Sequence, residues 1–136
     1  MLGASSGTSV TDNPGHDVLV VEDDPAIRRL VAMVLQRQGY RTETASDGFE
    51  AVLKLGVSEY DVIVLDLMMP NLDGFAFLGQ LAGTRPERLR SVIVTSAASP
   101  NLIRERMQGQ TFMVLPKPFD IHELVSAVRS CIAAQS

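Results

Sequence analysis

The residues able to do chemistry in this chain fall at the ends of short apolar runs. The run 18–21 (VLVV) is followed by Glu22, Asp23 and Asp24, and the run 62–65 (VIVL) by Asp66. The run 92–94 (VIV) gives way to Thr95 and Ser96, and 112–115 (FMVL) to Pro116, Lys117 and Pro118. Clustered carboxylates repel one another, so they need a cation or a shifted pKa to share a site. Hard oxygen ligands with room for water suit Mg²⁺. Taken alone, Glu22, Asp23 and Asp24 are equally a solvated turn that caps the helix after it. Asp66 is harder to set aside, because a carboxylate directly after four strongly apolar residues is costly without a partner. The chain has two lysines, Lys54 and Lys117, and two prolines fix the backbone around the second.

Regular elements must carry these residues to one place. An unbroken apolar run such as 18–21 is expected of a parallel strand covered on both faces. Pro25 stands where a helix begins, Ile27, Leu30, Val31, Val34 and Leu35 repeat at helical spacing, and Gly39 stops it. Residues 41–45 read as a weak, polar edge strand. Asp47 with Glu50 makes a capping-box-like start for a short helix ending near Gly56. After the strand 62–65, a loop through Pro70 and Gly74 leads to a helix over about 75–82. The fourth strand is 92–94, a helix of little apolar character spans 101–108, and 112–115 is the fifth strand. Asp120 with Glu123 caps a last helix carrying Ile121, Leu124, Val125 and Val128. Five βα units in series predict an α/β, doubly wound parallel sheet with helices on both faces. Ligands of such sheets bind beyond the carboxyl ends of the strands, which is where the chemistry-bearing residues fall.

The chain of 136 residues, 46% of them hydrophobic, fits one domain with a real core. Residues 1–16, rich in Gly, Ser, Thr and Pro, read as a flexible N-terminal tail, and 17–136 as a single domain. No apolar run approaches the ~20 residues that span a bilayer, and the first residues lack the pattern of a signal peptide. A cytoplasmic protein with no membrane contact is expected, and the one cysteine, Cys131, suits a reducing compartment as a small buried helix residue. The net charge of −4 argues against direct nucleic-acid binding. His122, in the last helix, is expected to be an exposed side chain rather than a site of chemistry.

The four blocks VLVVEDD (18–24), VIVLDLMMPNLDG (62–74), VIVTS (92–96) and LPKPF (115–119) occur in the order and at the spacing of the signature blocks of bacterial response-regulator receiver domains. The resemblance covers the chain from about Asp17 to its end. It implies a flavodoxin-like, chemotaxis-regulator-like sheet of strand order 2-1-3-4-5. It also implies a switch of two-component or phosphorelay signalling, which catalyses only its own phosphorylation and dephosphorylation. By the same resemblance Asp66 is the phosphoacceptor, forming a 4-aspartylphosphate. Asp23, Asp66 and the backbone carbonyl of Met68 hold Mg²⁺, with Glu22 acting through water. Lys117 neutralises the phosphoryl oxygens, Thr95 hydrogen-bonds them, and Pro118 follows a cis peptide. The implied partners are a histidine kinase or histidine phosphotransfer protein, and a downstream protein target or a second copy meeting the 101–134 region.

Two positions depart from the family pattern. Glu22 stands where Asp is commoner. Val114 stands three residues before the lysine, where receivers usually carry Tyr or Phe. Phe112, two residues earlier, is expected on the same side of the strand as Val114. Other classes fit less well. An aspartyl-phosphate-forming phosphatase would need a second Asp two residues after the nucleophile, where Met68 stands. A dinucleotide-binding turn would carry glycines where Glu22, Asp23 and Asp24 stand. A degenerate receiver, acting as a phosphorylation-independent scaffold, remains the alternative.

Overall fold

The computed structural model describes residues 15–69, 72–97 and 111–135, together with 101, 103 and 105. Its elements are β1 (Asp17–Val21), α1 (Pro25–Arg37), β2 (Arg41–Ala45), α2 (Gly48–Val57), β3 (Val62–Asp66), α3 (Gly74–Thr84), β4 (Val92–Ser96), β5 (Met113–Pro116) and α4 (Ile121–Ala134). The five strands form one sheet in the order β2-β1-β3-β4-β5, with every neighbouring pair parallel. This is the expected doubly wound order 2-1-3-4-5.

The unbroken apolar runs have a simple cause. Successive side chains of a strand point to opposite faces, and here both faces are covered. Leu19, Val21, Ile63, Leu65, Val92 and Val94 pack in the layer beneath α2 and α3. Val18, Val20, Val62, Val64, Ile93 and Leu115 pack against Val31 and Leu35 of α1 and Leu124, Val128 and Cys131 of α4. Cys131 is buried, as expected, and His122 is exposed. The edge strand β2 needs only one apolar anchor, and Ala45 supplies it.

The helix starts are set by side chains. Asp24 accepts from the amides of Ala26 (2.9 Å) and Ile27 (3.2 Å), with Pro25 in the first turn. Asp120 and Glu123 form a full capping box. At α2 the box is displaced: Asp47 accepts from the Glu50 amide, while the Glu50 carboxylate reaches Ser46 instead of Asp47. Gly39 takes φ +97, the left-handed turn that ends the α1 segment.

Several expectations are adjusted. The loop after β3 contains a two-residue antiparallel ribbon, Met68–Met69 with Leu72–Asp73, too short to leave a periodic signal. A 3-10 turn, Pro86–Ser91, precedes β4. Asn101, Ile103 and Glu105 are helical, while the rest of the expected 101–108 helix, Arg104 and Arg106 included, lies outside the described residues. The expected tail lies outside them too, except Gly15 and His16. One expectation is overturned: Phe112 does not share a side with Val114. Val114 packs in the α2–α3 layer and Phe112 in the α1–α4 layer. The regular strand begins only at Met113, so Phe112 sits in a bend where strict alternation does not apply.

Candidate functional site

The site is assembled at the carboxyl ends of β1, β3, β4 and β5, and the ladder itself sets its spacing. Parallel register pairs Val21 with Leu65 and Asp66 with Thr95. Thr95 is in turn opposite Leu115, and Ser96 opposite Pro116. The strand ends are then tied beyond the ladder. The Glu22 amide donates to the Ala45 carbonyl (3.0 Å), the Leu67 amide to that of Thr95 (3.1 Å), and the Lys117 amide to that of Ser96 (2.8 Å). The Lys117–Pro118 peptide is cis.

Within this frame Glu22, Asp23 and Asp66 each present a carboxylate oxygen, and the three oxygens lie within 4.8 Å of one another. Asp66 is 4% exposed and Glu22 6%. Lys117 Nζ lies 3.1 Å from Asp66 Oδ2 and 3.4 Å from Glu22 Oε1, so one ammonium is shared by two buried acids. Burial pushes the Glu22 carboxyl up to about 7, and the Asp66 charge adds to the rise while the Asp24 amide and Lys117 oppose it. Burial works against the charge of Lys117. The hydrogen bond and charge of Asp66, with that of Glu22, outweigh it and hold the lysine above its ordinary 10.5. Thr95 is 2% exposed and Ser96 fully buried, which places two hydroxyl-bearing residues at the strand end next to Asp66.

Three oxygen donors converging beside a single lysine leave a deficit of positive charge, and that chemistry fits a small, hard divalent cation. Met68 follows Leu67 in the ribbon after β3, which brings its backbone into the same loop as Asp66. Asp24 does not join the cluster. It follows Asp23 directly, yet its carboxylate is spent on the first turn of α1.

Two residues went unremarked in the sequence for any role of their own. Gly74 lies so close to Leu67 that a Cβ there would sit 2.6 Å from Leu67 Cδ2 and 2.9 Å from its Cα and O. Only glycine lets α3 start against the residue following Asp66. Its place at the end of the 62–74 block was the available signal. Arg28 donates from Nη1 to the carbonyls of Glu22 (2.9 Å) and Asp23 (3.2 Å). Nothing in the sequence sets it apart from its neighbour Arg29.

Comparison with known proteins agrees with this geometry. The family model described as "Response regulator receiver domain" matches residues 18–129. Response regulator MprA of Mycobacterium tuberculosis is 37% identical over 118 residues, covering 85% of this chain and 50% of that protein. The DNA-binding dual master transcriptional regulator RpaA of Synechocystis is 34% identical over 118 residues, covering 85% of this chain and 48% of its own length. The chain thus spans about half the length of these curated relatives. Among solved structures, the Francisella response regulator 1452 receiver domain superimposes with a TM-score of 0.77 at 35% identity, covering 91% of this chain and all of that one. Response regulator TrrA of Thermotoga maritima, solved in complex with Mg²⁺-BeF, gives 0.74 at 29% identity, covering 85% of this chain and 98% of that one. The sheet order, the acidic strand ends facing one lysine, and these matches together establish that the chain belongs to the response regulator receiver domain family.

Proposed function

We propose that this chain is a phosphoacceptor that takes a phosphoryl group on Asp66, with Mg²⁺, from a histidine kinase or a histidine phosphotransfer protein. The observation that carries the reading is Lys117 Nζ at 3.1 Å from a buried Asp66 carboxylate whose oxygens converge with those of Glu22 and Asp23. Asp66 supplies the attacking oxygen. A bond forms from it to phosphorus as the phosphorus–nitrogen bond of the donor phosphohistidine breaks, and an acyl phosphate results. Such transfers depend on placement and on neutralised oxygens more than on covalent help. Asp66, Asp23 and the Met68 carbonyl would hold the cation, with Glu22 acting through water, and the bound Mg²⁺ would offset the phosphoryl charge. Lys117 provides the second positive centre, and the Thr95 hydroxyl a donor from the next strand.

The chain turns over nothing beyond its own phosphorylation and dephosphorylation. Its output passes through protein contacts of the 101–134 region, either with a downstream target or with a second copy, in the cytoplasm and without direct contact with nucleic acid or membrane. That RpaA is a DNA-binding regulator concerns a protein twice the length matched here. Two features support a working site over a degenerate scaffold: Asp66 is paired with Lys117, and Asp23 is kept beside them.

The test is phosphorylation by acetyl phosphate with and without Mg²⁺, read by intact mass. The wild-type chain gains one phosphoryl group only with Mg²⁺, Asp66→Asn gains none, and Asp24→Asn keeps most of the reaction because its carboxylate serves α1. An adduct that persists on Asp66→Asn sinks the assignment.

A further inference from the structure

We infer that Arg28 is a positioning residue for the acidic cluster, holding the backbone that carries Glu22 and Asp23 so that a divalent cation meets carboxylates already gathered. The inference rests on the reading of that cluster as a Mg²⁺-dependent phosphorylation site and deepens it. The β1 ladder ends at Val21 and Ala45, and after the Glu22 amide bonds Ala45 the chain leaves the sheet. The two carbonyls that follow, those of Glu22 and Asp23, are taken by one guanidinium nitrogen, Arg28 Nη1, at 2.9 and 3.2 Å. Arg28 is itself anchored, because its amide donates to the Asp24 carbonyl at 2.9 Å in the first turn of α1. The helix start therefore grips the loop from two sides. Asp24 holds the helix amides, and Arg28 reaches back over the two residues before it.

The grip matters because of what those residues carry. Three carboxylate oxygens within 4.8 Å of one another push their loops apart when no cation lies between them. Lys117 relieves this for Glu22 and Asp66, its two acidic partners among the described residues. Asp23 lies in the same cluster, with its side chain against that of Glu22, and pairs with no cation among the described residues, so the position of its backbone bears directly on its place. Arg28 forms no ion pair among the described residues, and its hydrogen bonds to two neutral carbonyls fix geometry rather than neutralise an acid.

Charge and positioning predict opposite signs, which makes the inference sharp. By Coulomb's law alone, removing a cationic side chain beside a metal site strengthens cation binding. Removing a group that orients the ligands weakens it, commonly by tenfold or more. The experiment is calorimetric titration of the metal-free 136-residue chain with MgCl₂, for wild type, Arg28→Met, Arg28→Lys and Arg29→Met. Arg28→Met is expected to bind Mg²⁺ about tenfold more weakly. Arg28→Lys, which keeps donors on a long side chain, recovers a substantial part of the loss. Arg29→Met leaves binding unchanged or tighter. Acetyl phosphate labelling of Arg28→Met is slow at low Mg²⁺ and returns to the wild-type rate at saturating Mg²⁺, a rescue that a damaged fold would not give. Amide NMR spectra in chelator report the fold of each variant, with shifts expected at 22–28 alone. Mg²⁺ binding by Arg28→Met as tight as wild type, or an equal loss in Arg29→Met, overturns the role of Arg28 while leaving the site reading intact. A wild-type chain that binds no Mg²⁺ overturns the site reading itself.

Discussion

At the amino ends of the strands, acids and bases meet in equal measure. Asp17 accepts from Arg41 at 2.8 and 3.0 Å, Arg85 and Arg88 both pair with Glu59, and the Asp17 amide donates to Asp61. Most of these groups are open to solvent. At the carboxyl ends the same residue types are arranged against their own interest: Glu22 and Asp66 are buried, Asp23 joins them, and Lys117 is the one cation in ionic contact among the described residues. Pairing an exposed acid with an exposed arginine contributes little to stability and costs little. Burying two acids around one lysine costs desolvation that the fold alone gives no reason to accept. The difference between the rims therefore separates charges that solubilise from charges held in readiness, and four measurements can break or sharpen it.

The largest effect is expected on cation binding. On the proposed reading, in which Asp23 is a direct ligand and Glu22 acts through water, Asp23→Ala should weaken Mg²⁺ by about a hundredfold and Glu22→Ala by about tenfold. Asp17→Asn, at the other rim, should leave binding unchanged. Titration calorimetry of the three variants decides it, and a greater loss at Glu22 than at Asp23 would exchange their roles.

Stability should change in the opposite direction. Glu22 is held at about 7 against its ordinary 4.5, so the folded chain keeps a proton that the unfolded chain releases. That contribution is fully present below 4.5, falls as pH rises through the interval, and is gone above about 7. In chelator at pH 8, Glu22→Gln should therefore unfold at higher denaturant concentration than wild type, by about 1–3 kcal/mol, and the gain should shrink towards pH 4.5. A variant no more stable than wild type at pH 8 would show that Lys117 fully offsets the burial of Glu22. The amino rim gives the mirror image. The hydrogen bond from Arg41 holds the Asp17 carboxyl below its ordinary 3.8. Its contribution is present at neutral pH and is lost as pH falls below that value. Asp17→Asn should shift the unfolding midpoint less than Glu22→Gln, and high salt should erase the shift because the pair is exposed. A salt-resistant loss would mean that the amino rim is more than surface pairing.

How much of this was legible in the sequence follows the same division. Unbroken apolar runs ending in acids, hydroxyls or lysine placed the strands and the site rim, because burial on both sheet faces leaves so plain a signal. Asp66, Lys117, Glu22 and Asp23 were readable as a group for that reason, and Asp24 was separable only as a helix cap. What was not legible depends on single atoms. That Arg28 rather than Arg29 turns back to the loop is settled by the direction in which each leaves α1. That Gly74 must lack a side chain is settled by the approach of Leu67. The short ribbon after β3 was missed because two-residue strands have no period. Phe112 was misplaced because alternation was carried one residue past the start of β5.

That misplacement bears on the smallest effect. Residues at the carboxyl rim should respond to beryllofluoride and Mg²⁺, and the question is how far the response travels down the sheet. Thr95 touches the rim and pairs with Leu115, next to Val114, so backbone movement at β4 can reach β5 directly. Val114 is a compact, buried residue in the α2–α3 layer, with no ring to exchange between buried and exposed states. Phe112 has a ring, but it packs in the opposite layer and belongs to the amino end of the strand. A switch needs contacts that differ between its two states, and neither residue offers a large one. Amide NMR shifts on adding beryllofluoride and Mg²⁺ should thus be large at Asp23, Asp66, Thr95 and Lys117, modest at Val114, and near zero at Phe112 and Asp17. Shifts at Phe112 as large as those at Thr95, and lost on Val114→Ala, would show that the two rims are coupled through β5 and that the amino rim takes part in the switch.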